Sequence, residues 1–390
     1  MAHVTEINDL EELDRLGLVW KCLLAETRQA SFFQSLEWLR TWWRHWGQHQ
    51  RLRVFVVRSA GRYLGILPLA VRTEWTRGRR VRVLTYPSND WGAFHSPIGP
   101  QPAATLAAVL GHISRTTRDW DLLDLRWANR DGSDAPRTES AMLAAGFSAH
   151  GQPWSQSAII DLAGGRHFYW SALGSRWRDK LARGEKRLAA AGELSYVRYR
   201  PLGAAFDDRD PRWDLYDACG QIAKRSWQGE SYRGITPART PISAFLHDAH
   251  RAAVHAGGLD LNLLLLAGRP LAFAYNYHFQ GRVSVLRMGC DALATTDNAL
   301  SVLMRHVIDD SFERGDTEID LGPGPVDCKR HWRPALETSY RYTHFAGFGP
   351  KLRLRWLERC LAGWLERVSL HRHGRGDGGE HMGPVAARLG

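Results

Sequence analysis

The sequence predicts an α/β protein built from two similar halves, each a mixed sheet flanked by helices. One observation is an order of elements that occurs twice. LRVFVVRSAGRYLGILPLAV (Leu52 to Val71) and LDLNLLLLAGRPLAFAYNYHF (Leu259 to Phe279) are both apolar run, Gly turn, apolar run, the pattern of a β-hairpin. A second is the near-constant offset of the repeat: 207 residues from Gly61 to Gly268, and 196 from Asp124 to Asp320. The third is length. At 390 residues with 44% hydrophobic content, the chain exceeds what one core serves.

Each hairpin is followed by the same series. A β-like run comes next (VRVLTYP from Val81; RVSVLRMG from Arg282), then a helical pattern (TLAAVLGHISRTT from Thr105; ALSVLMRHVIDDSFERG from Ala299). A short acidic-apolar strand closes it: DLLDLRW from Asp121 and TEIDLGPG from Thr317. Such duplication sets domains at 1–160 and 161–350. Ser31 with Gln34 reads as a capping box opening a helix whose Trp38, Trp42 and Trp46 share one face, a core stripe. Helices are also expected from Ser175 to Ala190, Pro211 to Ser226 and Pro241 to Ala256. A basic amphipathic helix is expected over 351–370, with Leu354, Leu357, Leu361 and Trp364 on its apolar face. That helix suits docking on its own domain or peripheral contact with an anionic membrane. The Gly- and His-rich tail, 371–390, reads as disordered.

Composition narrows the function classes. The 52 basic and 41 acidic residues give a net charge of +11, which favours anionic partners such as a phosphate-bearing small molecule, an acidic membrane or nucleic acid. Five scattered cysteines without a Cys-x-x-Cys pair argue against a disulfide framework and a structural zinc site, and no metal is expected. The N-terminus is acidic with no apolar signal core, and no apolar run is long enough to span a bilayer; the expected location is the cytoplasm. Neither a helix-turn-helix nor an RNP-type aromatic motif is present, so nucleic acid is not the expected partner. Walker A, Gly-x-Ser-x-Gly and His-Glu-x-x-His motifs are missing too, which weakens NTPase and hydrolase readings.

What remains is a constellation in the second half. A strand presents Tyr275 and Tyr277 on one face; plain strand packing explains them equally well. The next strand carries Arg287 and ends at Asp291. A helix then begins near Thr296 and Asn298, where free amides suit a phosphate. After it, DLGPGPVDCKRHW runs from Asp320 through a Gly/Pro loop to Lys329 and Trp332. Gly and Pro let such a loop bend sharply beside a ligand. Arg225 and Trp227 sit where a helix ends, and Arg176 and Lys180 open the basic helix of the second half.

With these pieces in order, the chain resembles the CelD-type branch of the GNAT acyltransferases, associated with cellulose and exopolysaccharide and related to the FemABX-like tandem-GNAT transferases. The resemblance runs from Phe32 to Phe345 and rests on FFQSLEWLRTWWRHWG, GILPLAV, LSYVRYR, KRSWQG, AGRPLAFAYNYHFQGRVSVLRMGCD and IDLGPGPVDCKRHW. It implies a tandem GNAT fold (the acyl-CoA N-acyltransferase fold). It also implies transfer of an acyl group, acetyl above all, from acyl-CoA to an amine or hydroxyl of a cell-envelope or glycan-precursor acceptor. Carried over, the oxyanion-supporting lysine falls on Lys329, the acidic position after the strand on Asp291 and the strand-end aspartate on Asp320. The chain departs from the family in Cys328, where relatives carry tyrosine, in Asn298-Ala299, where they carry Pro-Gly, and in lacking the Gly-x-Gly/Ala loop between Asp291 and Ala299.

Acyl transfer needs two groups held together, a base and oxyanion support. Asp291 or Asp320 is the expected base and Lys329 the support, with strand amides near Arg287 to Gly289. Tyr275 or Tyr277 is the expected acid, Arg176 and Lys180 hold an anionic substrate, and Thr296 and Asn298 face acyl-CoA. Tyr275, Tyr277, Arg287, Trp332, Arg225 and Trp227 are the expected substrate contacts. Two rivals stand beside this: an aminoacyl-tRNA-dependent transferase, which the charge favours, and a non-catalytic binding or scaffold protein on a degenerate GNAT fold, which the missing glycines favour.

Overall fold

The computed structural model describes residues 2–76, 79–87, 96–129, 137–226, 241–291, 298–324 and 326–346. Trp227, Thr296, the expected helix at 351–370 and the tail at 371–390 lie outside the described residues. The chain divides into two compact units, one taking Met1–Gln156 and the chain returning from Glu337, the other Ser157–Leu336.

In the first unit, β1 (His3–Ile7) is followed by α1 (Leu10–Arg15), α2 (Gly17–Ala25) and α3 (Leu36–Trp46). Gln34 Oε1 accepts the Ser31 N–H at 3.1 Å, yet this pair encloses a single 3-10 turn, Phe32–Gln34. Ser35 is the residue that caps α3, its hydroxyl accepting from the Trp38 N–H at 3.1 Å. Trp38 and Trp42 are buried in the core, as their spacing predicts, while Trp46 at the end of the helix is half-buried. The repeat series then appears: β2 (Arg51–Ser59), β3 (Arg62–Thr76), β4 (Arg79–Thr85), α4 (Pro102–Arg115), β5 (Leu122–Asn129), α5 (Arg137–Ala144) and β6 (His150–Asp161), which passes into the second unit.

In the second unit the chain makes α6 (Arg166–Ala172), α7 (Ser175–Ala191), β7 (Leu194–Tyr199), α8 (Trp213–Arg225), α9 (Pro241–Ala256), β8 (Leu259–Leu266), β9 (Arg269–Phe279), β10 (Arg282–Cys290), α10 (Ala299–Glu313) and β11 (Glu318–Pro323). β12 (Ala335–Phe345) then returns to pair antiparallel with β5. The strand order is β1-β2-β3-β4-β5-β12-β6 in the first unit and β6-β11-β10-β9-β8-β7 in the second.

The sequence fixes the hairpins through their turns. Ala60-Gly61 and Ala267-Gly268 both have positive φ at the two loop residues, the type I′ geometry that matches strand twist and calls for Gly at its second position. In each unit β-hairpin and crossover helix then deliver two parallel strands, β4 beside β5 and β10 beside β11. In the second unit α7 and α10 cover one face of the sheet, burying Leu181, Leu188, Val302 and Val307 against Leu264, Ala272 and Ile319. α8 packs on β8, β9 and β10, and α9 packs on β8.

Candidate active site

The two parallel strand pairs share one defect. β4 and β5 pair only through Val83↔Leu122, Leu84↔Leu123 and Thr85↔Asp124. β10 and β11 pair only through Arg282↔Glu318, Val283↔Ile319 and Ser284↔Asp320. Each pairing lasts three residues and ends on an aspartate. Beyond Ser284, where the ladder with β11 ends, β10 bulges between Val285 and Arg287 and continues its pairing with β9.

The aspartates differ in what holds them. Asp124 is fully buried, and Arg341 Nε and Nη2 donate to it at 2.7 and 2.6 Å while Arg126 Nε donates at 2.8 Å. The Trp154 ring lies under both guanidiniums, at 4.9 Å from Arg126 and 5.2 Å from Arg341. Burial by itself would raise the Asp124 pKa, but the two arginines outweigh it and hold the carboxyl well below the usual range. This position in the first unit is filled by ion pairs.

Asp320 is also buried, but among the described residues its one hydrogen bond comes from the Gly322 N–H, to Oδ1 at 2.7 Å. The Gly322 carbonyl accepts from Lys329 Nζ, also at 2.7 Å. Gly322 therefore joins the two, its N–H on the acid and its carbonyl on the ammonium. Its φ of +75° favours glycine, and Val285 O, 3.3 Å from where a Cβ would lie, makes the position tight as well. Burial pushes the Asp320 pKa up to about 6, against smaller opposing pulls from the Gly322 N–H, Arg282 and Lys329. Burial likewise draws Lys329 down, opposed by Asp320. A carboxyl that titrates near neutrality beside a buried ammonium is what proton transfer at a reacting carbonyl requires.

Strand register sets which side chains accompany Asp320. Ser284 is opposite Tyr277 on one side and Asp320 on the other, and Arg287 is opposite Tyr275. Paired residues share a face, so Tyr275, Tyr277, Ser284, Arg287 and Asp320 come together on one side of β9, β10 and β11. Arg287 lies near Tyr216 and Cys219 of α8, and burial lowers its pKa. Both phenols are buried, and burial raises both pKa values far above the ordinary one.

A residue missed by the sequence reading joins this face. His250 of α9 is fully buried; its Nδ1 is 2.9 Å from Tyr275 Oη and its Nε2 is 2.6 Å from the Pro211 carbonyl. The signal was present. His250 falls between Leu246 and Val254 at four-residue spacing, on the apolar stripe of a helix, where an unsupported imidazole is costly. Gly322 was the other omission; it reads in sequence only as one of two loop glycines.

The remaining expected residues lie elsewhere. Asp291 is buried between Arg225 Nε at 2.9 Å and Arg269 Nη2 at 3.0 Å, so its carboxylate closes an ion-pair clasp between α8 and β9. Trp332 is buried in the core; its carbonyl accepts from Tyr169 Oη at 3.0 Å, and Trp177 meets its ring edge-on at 5.4 Å. Arg176 is exposed at the start of α7, and Lys180 Nζ lies 5.3 Å over the Trp177 ring, which stacks on His331. Asn298 caps α10 in the left-handed conformation with no side-chain hydrogen bond to the helix.

Comparison with known proteins agrees with this architecture. Residues 175–330 match the family model described as an acetyltransferase (GNAT) domain. The solved structure of FemX is similar at 11% identity with a TM-score of 0.60, over 88% of this chain and 97% of that one. The C-terminal domain (DUF2156) of a protein described as a lysylphosphatidylglycerol synthetase, from Agrobacterium fabrum, is similar at 13% identity with a TM-score of 0.50, over 90% and 96%. No curated protein matches in sequence. At such identities the likeness is one of fold: a tandem GNAT architecture. Among the described residues no helix is long and apolar enough to cross a membrane, and no group of three or more His, Cys, Asp and Glu side chains is placed to hold a metal.

Proposed function

We propose that the chain is an acyltransferase whose reaction takes place in the second unit, where β10 and β11 part. The observation that carries this reading is the Asp320–Gly322–Lys329 arrangement at the point of parting. The donor is acyl-CoA, with acetyl as the simplest acyl group. The acceptor is an amine or hydroxyl of a cell-envelope or polysaccharide-related molecule, met in the cytoplasm. In the reaction the acceptor nitrogen or oxygen bonds to the acyl carbon, the carbon–sulfur bond breaks, and the acceptor's proton passes to Asp320. Lys329 stabilises charge building on the acyl oxygen. Asp291, already clasped by two arginines, is the weaker choice of base.

The segment from Asp291 to Ala299 contains no glycine, so its backbone cannot approach a pyrophosphate as closely as a glycine loop does. With the +11 charge, this favours a second donor, an aminoacyl ester carried on tRNA, served by the same Asp320 and Lys329.

Thermal unfolding with acetyl-CoA, longer acyl-CoAs, free CoA and aminoacyl-tRNA separates these readings. A ligand at ~100 times its Kd adds about 2.7 kcal/mol to the native state. Stabilisation by CoA species that weakens in Lys329→Met supports the thioester donor. Stabilisation by aminoacyl-tRNA alone supports the ester donor, and no response to either rejects both.

A further inference from the structure

We propose that His250 is a positioning residue that makes Tyr275 present a hydrogen-bond-accepting oxygen to the acceptor substrate. This deepens the acyl-transfer reading and rests on it.

The polarity follows from one end. The Pro211 carbonyl can only accept, so the His250 nitrogen 2.6 Å from it must carry the hydrogen. Complete burial keeps the ring neutral, its pKa drawn down to about 4 by desolvation, so there is one ring hydrogen and it sits on Nε2. Nδ1 is then a bare acceptor, and at 2.9 Å Tyr275 must donate to it. Tyr275 has a single hydrogen, now directed inward. Its oxygen meets everything else as an acceptor, with Tyr277 beside it (ring centroids 5.9 Å apart, edge to face) and Arg287 across the strand pair.

A chain that ends on a backbone carbonyl has no route to pass a proton onward. His250 and Tyr275 therefore orient rather than shuttle, and Tyr275 cannot protonate a leaving thiolate without orphaning Nδ1. What suits the Tyr275 oxygen is a group with hydrogens to give. That describes the nucleophilic amine, not the carbonyl of the acyl donor. The acceptor substrate accordingly lies on the Tyr275 side of Asp320.

Two measurements test this. In histidine 15N NMR spectra at pH 7, His250 is expected as the neutral Nε2–H tautomer, with the Nδ1 signal shifting in Tyr275→Phe; an Nδ1–H tautomer or a charged ring overturns the proposal. The second is steady-state kinetics with acetyl-CoA and ethanolamine, a minimal acceptor. His250→Leu removes both hydrogen bonds and is expected to raise KM for the amine about tenfold, the scale of one lost hydrogen bond, leaving the acetyl-CoA KM unchanged. His250→Gln, whose amide can donate to Pro211 and accept from Tyr275, restores it. An unchanged amine KM in a folded His250→Leu protein, or a shift in the acetyl-CoA KM instead, overturns the positioning role. Absence of wild-type turnover with both thioester and aminoacyl-ester donors removes the function reading and this role with it, while the NMR spectrum separately decides the tautomer.

Discussion

At the scale of single residues, the site trades stability for reactivity. Asp320 binds its proton more tightly in the folded chain than in the unfolded one, its pKa being raised to about 6 by burial. For such a group stability falls as pH rises from the unfolded pKa of ~3.9 through the folded value. Asp320→Asn removes that cost, and the expected outcome is a variant more stable than wild type at pH 7.5, by up to about 3 kcal/mol. The gain should vanish near pH 4, which denaturant unfolding at the two pH values measures. The same substitution should lower turnover by roughly 10²–10⁴, and wild-type turnover should rise with pH through an inflection near 6. Lys329→Met keeps the volume and removes the charge; loss on the order of 10²–10³ in kcat with an intact fold is expected if the ammonium supports the oxyanion.

At the scale of elements, the geometry depends on glycines at strand ends and crossings. Gly322→Ala adds a Cβ at a φ of +75° and 3.3 Å from Val285 O, so it strains the turn that links Asp320 to Lys329. The expected result is a loss of activity larger than the loss of stability, read by comparing kcat with the melting temperature. Gly65→Ala is the contrasting case. Its Cβ would lie 2.3 Å from Thr105 Oγ1 and 2.6 Å from the Ile98 carbonyl, where β3 meets α4. A backbone oxygen cannot give way, so this variant should lose several kcal/mol of stability, as overpacking at a closed crossing does.

At the scale of the whole molecule, the two units have used one strand arrangement differently. In the first, Arg126 and Arg341 occupy the aspartate, and the carboxylate is held ionised. Its folded pKa lies below the unfolded one, so its contribution is present above the unfolded value of ~3.9 and is lost as pH falls below it. Asp260, drawn down to about 2 by Arg198 and Arg200 against the opposing effect of burial, behaves the same way in the second unit. Asp124→Asn leaves two buried guanidiniums short of charge, and about 3–5 kcal/mol of destabilisation is expected. Residual folded protein should keep its turnover per active molecule. Activity corrected for folded fraction checks this, and a specific loss of turnover would give the first unit a chemical role.

The duplication, the hairpins and the order of strands and helices were legible in the sequence because they depend on local pattern: alternation of apolar residues, Ala-Gly turns and helical spacing. The grouping of Tyr275, Tyr277, Arg287 and Asp320 was half legible, since period-two alternation puts the first two on one face but cannot say which strand lies beside them. Register decided the rest, because a slip of one residue between β10 and β11 would turn Asp320 to the opposite face. Whether an aspartate ends buried without an arginine or held in ion pairs was not legible at all. Asp291 adjoins β10 while Asp320 and Asp124 lie within β11 and β5, and what distinguishes them is the arginines folded against Asp291 (Arg225, Arg269) and Asp124 (Arg126, Arg341). Asp124 and Arg341 lie 217 residues apart, and only the folded chain sets such distances, and with them the electrostatics.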